Sequence, residues 1–120
     1  MKNIRTIVVD DEPAARSRVV RLLGTDPEVR VVAECRNGNE ALATIQQEPV
    51  DLVYLDIQMP QLSGLDVVGR FPPGQTPFVV FVTAHDRYAV KAFDVNAADY
   101  LLKPYDDDRF YMSLSRAKDF

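Results

Sequence analysis

Cysteine is nearly absent from these 120 residues. With Cys35 alone, no disulfide can close within the chain, and a reducing, cytoplasmic setting is expected. The residue itself reads as a small half-buried hydrophobe rather than a reactive thiol. Histidine is as scarce, His85 being the one example, so there is no His/Cys cluster for zinc. No apolar run approaches the ~20 residues of a membrane span. Met1-Lys2-Asn3 leads straight into an apolar segment, so neither a signal peptide nor a membrane partner is expected. Excess positive charge is missing too: 14 Lys and Arg stand against 18 Asp and Glu, a net charge of −4. The tightest basic group, Arg16, Arg18 and Arg21, falls in one amphipathic stretch and reads as a solvated helix face. The chain is therefore not expected to grip nucleic acid by itself. Repeats, low-complexity tracts and interdomain linkers are also lacking, and residues 1–120 read as one domain.

What is present is a core. Hydrophobic residues make up 47% of the sequence, too many for a disordered tail. Five apolar runs recur: Ile4–Val9, Val29–Cys35, Leu52–Leu55, Phe78–Val82 and Tyr100–Leu102. Several are continuous rather than alternating, as in strands buried on both faces of a parallel sheet. Helical spacing lies between them. Pro13 opens a first helix at its N1 position, with Glu12 as cap and acids at the positive end of the dipole. Ala15, Val19, Leu22 and Leu23 form its apolar stripe, and Gly24-Thr25-Asp26-Pro27 stops it. A second helix is expected over Asn39–Gln47, with Ala41, Leu42 and Ile45 inward. A third follows Ser63-Gly64, over Leu65–Phe71. A fourth spans Arg87–Asp94, capped by Asp86 and carrying Ala89, Val90 and Phe93. A fifth starts at a cap of Asp106 or Asp107 and ends near Lys118, with Phe110, Met112 and Leu114 available for packing. Pro72-Pro73-Gly74 reads as a loop within the domain. The pattern is (βα)5, an α/β domain with helices on both faces of a parallel sheet.

The polar residues fall where such a sheet gathers ligands. Asp10-Asp11-Glu12 follows the first strand, Asp56 the third, Thr83 ends the fourth, and Lys103-Pro104 ends the fifth. In a parallel sheet these ends share one rim. If strands 1 and 3 are neighbours, as in the order 2-1-3-4-5, then Asp10, Asp11 and Asp56 come close together. Three carboxylates in one pocket repel, which raises the pKa of at least one unless a cation compensates. Hard oxygens with open positions suit Mg2+. Lys103 adds a second positive charge and Thr83 a hydroxyl donor, the surroundings a phosphoryl group needs. Asp56 can then act as nucleophile and carry an acyl phosphate. Singly, each piece has a plainer reading: a helix cap, a β-former at a strand end, a solvated lysine, a turn residue. Their shared placement gives them weight.

The stretches "IVVDDEP", "DLVYLDIQMPQLSG", "FVTA" and "DYLLKP" together resemble the receiver domain of two-component response regulators, over essentially the full length. That resemblance implies a five-stranded parallel sheet in the order 2-1-3-4-5. It implies Asp56 as phosphoacceptor, Asp11 and Asp10 as Mg2+ ligands with Asp56, and the backbone carbonyl of Gln58 as a further ligand. Lys103 would pair with the phosphoryl group, Thr83 would swing toward it, and the backbone N–H of Ala84 would bond one of its oxygens. Tyr100 would be the switch aromatic, and the Lys103-Pro104 bond would be cis. The segment "FVTAHDRYAVKAFDVNAADYLLKPYD" looks most like receivers that precede a LytTR-type DNA-binding domain. Asn96 stands where many receivers have Gly, a change Asn tolerates. His85 reads as a solvated loop residue, with control of water access to the phosphoryl group as the alternative.

The function so implied is a switch. A histidine kinase or phosphotransfer protein donates the phosphoryl group, and the domain catalyses only its own phosphorylation and dephosphorylation. The face of the fourth helix, fifth strand and fifth helix then changes, with Tyr88, Val90, Lys91, Tyr105, Tyr111 and Arg116 expected near it and a phosphorylation-dependent homodimer as its product. Transcription would be controlled through a DNA-binding domain absent from this chain; a stand-alone receiver acting by protein–protein contact is the alternative. A phosphohydrolase of the haloacid dehalogenase type would need an acid two residues after Asp56, where Gln58 stands. A degenerate receiver serving only as an interaction module is at odds with the complete set Asp10, Asp11, Asp56, Thr83 and Lys103.

Overall fold

The computed structural model describes residues 3–74, 76–84 and 99–119. Its elements are β1 (Ile4–Val9), α1 (Pro13–Leu23), β2 (Val29–Cys35), α2 (Gly38–Gln47), β3 (Leu52–Asp56), α3 (Gly64–Gly69), β4 (Phe78–Thr83), β5 (Asp99–Leu102) and a C-terminal helix (Asp107–Asp119). The expected fourth helix, with Asp86, Tyr88, Val90 and Lys91, lies outside the described residues, as do His85 and Asn96. All pairings are parallel, in one sheet of order β2-β1-β3-β4-β5. No helix among the described residues is long and apolar enough to cross a membrane.

The continuous apolar runs are explained by two cores. Strand side chains alternate between faces, so β3 sends Val53 and Leu55 into one cluster with Ala41 and Ile45 of α2 and Val67 of α3. It sends Leu52 and Tyr54 into the other, with Val19, Leu22 and Leu23 of α1 and Phe110 and Leu114 of the C-terminal helix. Every residue of β3 and β4 is buried, as central strands covered on both faces must be. Tyr54 stacks on Phe110, with ring centroids 5.0 Å apart, and its hydroxyl shares a 2.9 Å hydrogen bond with that of Ser113.

Local chemistry starts three of the helices. The Asn37 side chain accepts the Glu40 N–H at 2.9 Å, so α2 begins at Gly38, one residue before the expected Asn39. Ser63 and Asp66 form a reciprocal capping box at α3. Asp106 accepts the Arg109 N–H at 2.8 Å, which makes it the cap of the C-terminal helix. Glu12 differs from expectation: it occupies the cap position of α1 without a side-chain cap bond, and the first turn holds no acid. Pro13 at N1 removes one orphan donor there instead. The third helix stops at Gly69 rather than Phe71, with Arg70 already outside helical geometry as its C-cap; a residue before proline, as Phe71 is, disfavours the α region. Met112, available for packing by its spacing, is 51% exposed, whereas Cys35, read as half-buried, is fully buried.

The arginines of α1 are more than a solvated face. Arg18 donates to the Tyr105 carbonyl at 2.8 Å, pairs with Asp107 and lies over the Tyr105 ring. The Tyr111 hydroxyl donates to the Leu22 carbonyl, and Lys118 pairs with Asp26 and Glu28. These contacts clamp the C-terminal helix along α1 and the loop between α1 and β2. Arg16 turns inward, and only Arg21 stays exposed.

Gly64 is required by a close approach. A methyl group there would run into the Asp56 carbonyl oxygen, whereas one at Gly69 would meet nothing within 4 Å. Gly64→Ala is expected to destabilise the fold by about 3 kcal/mol through this overpacking, and Gly69→Ala to be neutral or stabilising by up to about 1 kcal/mol. Urea midpoints of the two variants check this; equal midpoints would contradict it.

Candidate functional site

The carboxyl ends of β1, β3, β4 and β5 meet at one edge. Asp56 is the last residue of β3, opposite Val82 of β4, and the Ile57 N–H extends that ladder to the Val82 carbonyl. Lys103 follows β5, and its N–H donates to the Thr83 carbonyl at 2.7 Å. Asp10 follows β1, and its N–H donates to the Cys35 carbonyl at 3.1 Å. Backbone ladders thus fix Asp10, Asp56 and Lys103 before any side chain is considered.

The three expected acids converge. Asp10, Asp11 and Asp56 each offer a carboxylate oxygen, all within 4.8 Å of one another. Asp10 and Asp56 are buried, at 4% and 5% exposure, while Asp11 is open to solvent. Lys103 Nζ lies 3.1 Å from Asp10, 3.7 Å from Glu12 and 3.9 Å from Asp56, so the ammonium leans toward Asp10 rather than Asp56. Each buried acid also accepts a backbone N–H two residues on, Asp10 from Glu12 at 2.9 Å and Asp56 from Gln58 at 3.1 Å.

Asp56 is held near the balance between its two protonation states. Burial pushes its pKa up, the Asp10 charge pushes it further, Lys103 and the Gln58 N–H pull it down, and the result is about 7. Repulsion among carboxylates was the expected cause; burial in fact leads. Lys103 loses some of its affinity for a proton to burial, but Asp56 and Asp10 outweigh this and hold it firmly charged. Several carboxylate oxygens facing one ammonium suit a hard divalent cation, and the donor set contains no soft ligand.

Thr83 and Tyr100 lie on the other face. Thr83 is fully buried and follows the alternation of Val79 and Phe81, whose cluster Tyr100 packs against. Tyr100 sits beside Phe81 in the β4–β5 register. Asp56 falls in step with Leu52 and Tyr54, and Lys103 with Leu101, on the α1 side. Ala84 and Gln58 are exposed at the rim, and Lys103-Pro104 is cis. Gln58 contributes no carboxylate, so the second acid of a dehalogenase-type phosphohydrolase is missing. Arg16 was overlooked as a site residue. It touches the Asp10 carbonyl at 2.8 Å, and its position one helical turn after Glu12 was the available signal.

The raised pKa has a measurable sign. In the folded, metal-free protein Asp56 keeps its proton up to about pH 7, while the unfolded chain releases it near 3.8. Ionisation in place therefore costs stability as pH rises through that window. In EDTA, Asp56→Asn is expected to match wild type near pH 4 and to exceed it by about 2 kcal/mol at pH 8. Urea unfolding at both pH values tests this, and an advantage that shrinks with pH would refute the assignment.

Residues 6–115 match the family described as the response regulator receiver domain. Over 115 residues the chain is 43% identical to the transcriptional regulatory protein BtsR of Escherichia coli strain K12, covering 96% of this chain and 48% of BtsR. It is 45% identical over 115 residues to an uncharacterized response regulatory protein of Shewanella oneidensis, covering 96% of this chain and 49% of that protein. The chain thus spans about half the length of these curated relatives. The crystal structure of the response regulatory domain of MrkE from Klebsiella pneumoniae aligns with a TM-score of 0.88 at 33% identity, covering 97% of this chain and 96% of that one. The signal receiver domain of NarL from Mycobacterium tuberculosis aligns at 0.87 and 31% identity, covering both chains completely. A match this long, on a sheet of the same fold, means that the chain belongs to the receiver domains of two-component response regulators, signalling modules rather than metabolic enzymes.

Proposed function

We propose that residues 1–120 form one receiver domain that accepts a phosphoryl group on Asp56 from the phosphohistidine of a sensor kinase or phosphotransfer protein, in the cytoplasm. The observation that carries this is the buried Asp56 carboxylate, held with two further acids and an ammonium at one sheet edge. In the transfer a carboxylate oxygen of Asp56 attacks phosphorus. The new P–O bond forms as the P–N bond to histidine breaks, and the imidazole leaves with the electron pair and takes a proton. Asp10, Asp11 and Asp56, with the Gln58 carbonyl, would hold Mg2+, which supplies positive charge for the phosphoryl oxygens. Lys103 provides a second cation, and the Ala84 N–H a donor. A charged Asp56 is required, and cation binding favours that form over the protonated one.

Thr83 and Tyr100, sharing a face of the sheet, then report the new charge to the surface formed by β5 and the C-terminal helix. Leu102 and Met112 are large exposed hydrophobics there, which supports a phosphorylation-dependent homodimer. The output is transcription, in keeping with BtsR being a transcriptional regulatory protein, through a DNA-binding domain of LytTR type outside these residues. The chain's own net charge of −4 is consistent with DNA contact made elsewhere.

With Mg2+ and acetyl phosphate, intact mass spectrometry is expected to find a phosphoryl adduct on wild type and none on Asp56→Asn; an equal adduct on the variant would remove Asp56 as acceptor. Lys103→Ala should slow adduct formation by about 100-fold or more through loss of charge stabilisation. Beryllofluoride should shift wild type toward dimer in sedimentation velocity and leave Thr83→Ala largely monomeric. No shift in wild type would argue against the dimer.

A further inference from the structure

Arg16 has a more enclosed side chain than Arg18, at 16% against 36% exposure. Its guanidinium donates to the Asp10 carbonyl at 2.8 Å and lies 3.5 Å from Glu34. Its own backbone N–H donates to the Glu12 carbonyl at 3.0 Å. The same residue therefore grips both ends of the Asp10-Asp11-Glu12 stretch. The Cys35 carbonyl holds the Asp10 N–H, so β2 anchors Asp10 twice: directly, and through Glu34 and Arg16.

This grip has a physical task. Asp10, Asp11 and Asp56 repel one another, and β1 ends at Val9, so the sheet ladder alone does not hold Asp11 against that repulsion. Lys103 offsets the charge from the pocket side, through Asp10 and Glu12. Arg16 acts on the Asp10 and Glu12 carbonyl oxygens rather than on the carboxylates of Asp10 and Asp11, and so does not compete with a cation for them. Resting on the metal-dependent reading of the site above, we infer that Arg16 is a positioning residue for the cation: it fixes the β1–α1 loop so that Asp10 and Asp11 stay within ligand reach of Asp56.

Electrostatics and positioning predict opposite signs. Arg16 is a positive charge near a cation site, so by Coulomb's law alone its removal would tighten Mg2+ binding. Loss of a partner that orients metal ligands weakens it instead, typically 10- to 100-fold. The test is Mg2+ titration of the full chain, read by isothermal calorimetry well below the unfolding temperature, for wild type, Arg16→Ala and Arg16→Lys. Arg16→Ala is expected to raise the Mg2+ dissociation constant about 10-fold, with faster amide hydrogen exchange at Asp11 and Glu12. Arg16→Lys, whose single ammonium reaches the Asp10 carbonyl or Glu34 but not both, is expected to fall between. A merely structural role would lower the melting temperature and leave the affinity of the folded protein unchanged. If wild type binds Mg2+ and Arg16→Ala binds it as tightly or more tightly, the inference is overturned. Should Arg16→Ala not fold, Arg16→Lys decides alone, and wild-type affinity in it overturns the inference. Wild type failing to bind Mg2+ would instead overturn the reading of the site, and this inference with it.

Discussion

A carboxylate buried without full compensation is the feature around which the rest of this domain is organised. Asp56 sits 5% exposed at the end of the central strand, with the Asp10 charge beside it and one ammonium 3.9 Å away. Removing a charge from water is expensive unless it is paired and hydrogen-bonded, and here the pairing is shared among three acids. An acid in that state gains by receiving a cation. The stability forgone at Asp56 is borne by two apolar clusters, one on each side of the sheet.

The parallel sheet divides the site between two faces. Asp10, Asp56 and Lys103 meet on the α1 side, where the Lys103 contacts are made. Thr83 and Tyr100 keep step with Phe81 on the other. Backbone joins the faces, because the Lys103 N–H bonds the Thr83 carbonyl and the Ile57 N–H bonds that of Val82. In the proposed transfer, chemistry on one side of β4 and the response on the other are therefore neighbours along a rigid ladder.

The clamp along α1 limits which parts can respond. Arg18, Tyr111 and Lys118 tie the C-terminal helix to α1 and the α1–β2 loop at its beginning, middle and end, while Phe110 and Ser113 tie it to Tyr54 of the central strand. Its opposite side carries Arg109 and Arg116, both paired with the buried Asp99 of β5, and the exposed Met112. A helix fixed along one side and presenting charge and an apolar residue on the other suits a surface that meets a partner without itself moving far.

Much of this architecture is legible in the sequence because its causes are local. Continuous apolar runs mark strands covered on both faces, and Asn37, Ser63 and Asp106 start helices through bonds to residues three positions away. The four strand ends carrying Asp10, Asp56, Thr83 and Lys103 could be read from the order of the chain. The rest depended on contacts between distant residues. Glu12 lies at the start of α1 without capping it, since Asp10 takes its N–H and Lys103 approaches its carboxylate. Arg16 looked like a solvated residue until β2 brought Glu34 against it. Met112 had helical spacing suited to the core, but the rotation of its helix, set by Phe110 and Leu114, turned it outward. By itself the sequence determined which residues could serve as acid, cation and donor, through their chemistry and their place at strand ends. Only the tertiary structure decided how deeply Asp56 is buried and which acid Lys103 sits against, because burial and distance are properties of packing between segments far apart in the chain.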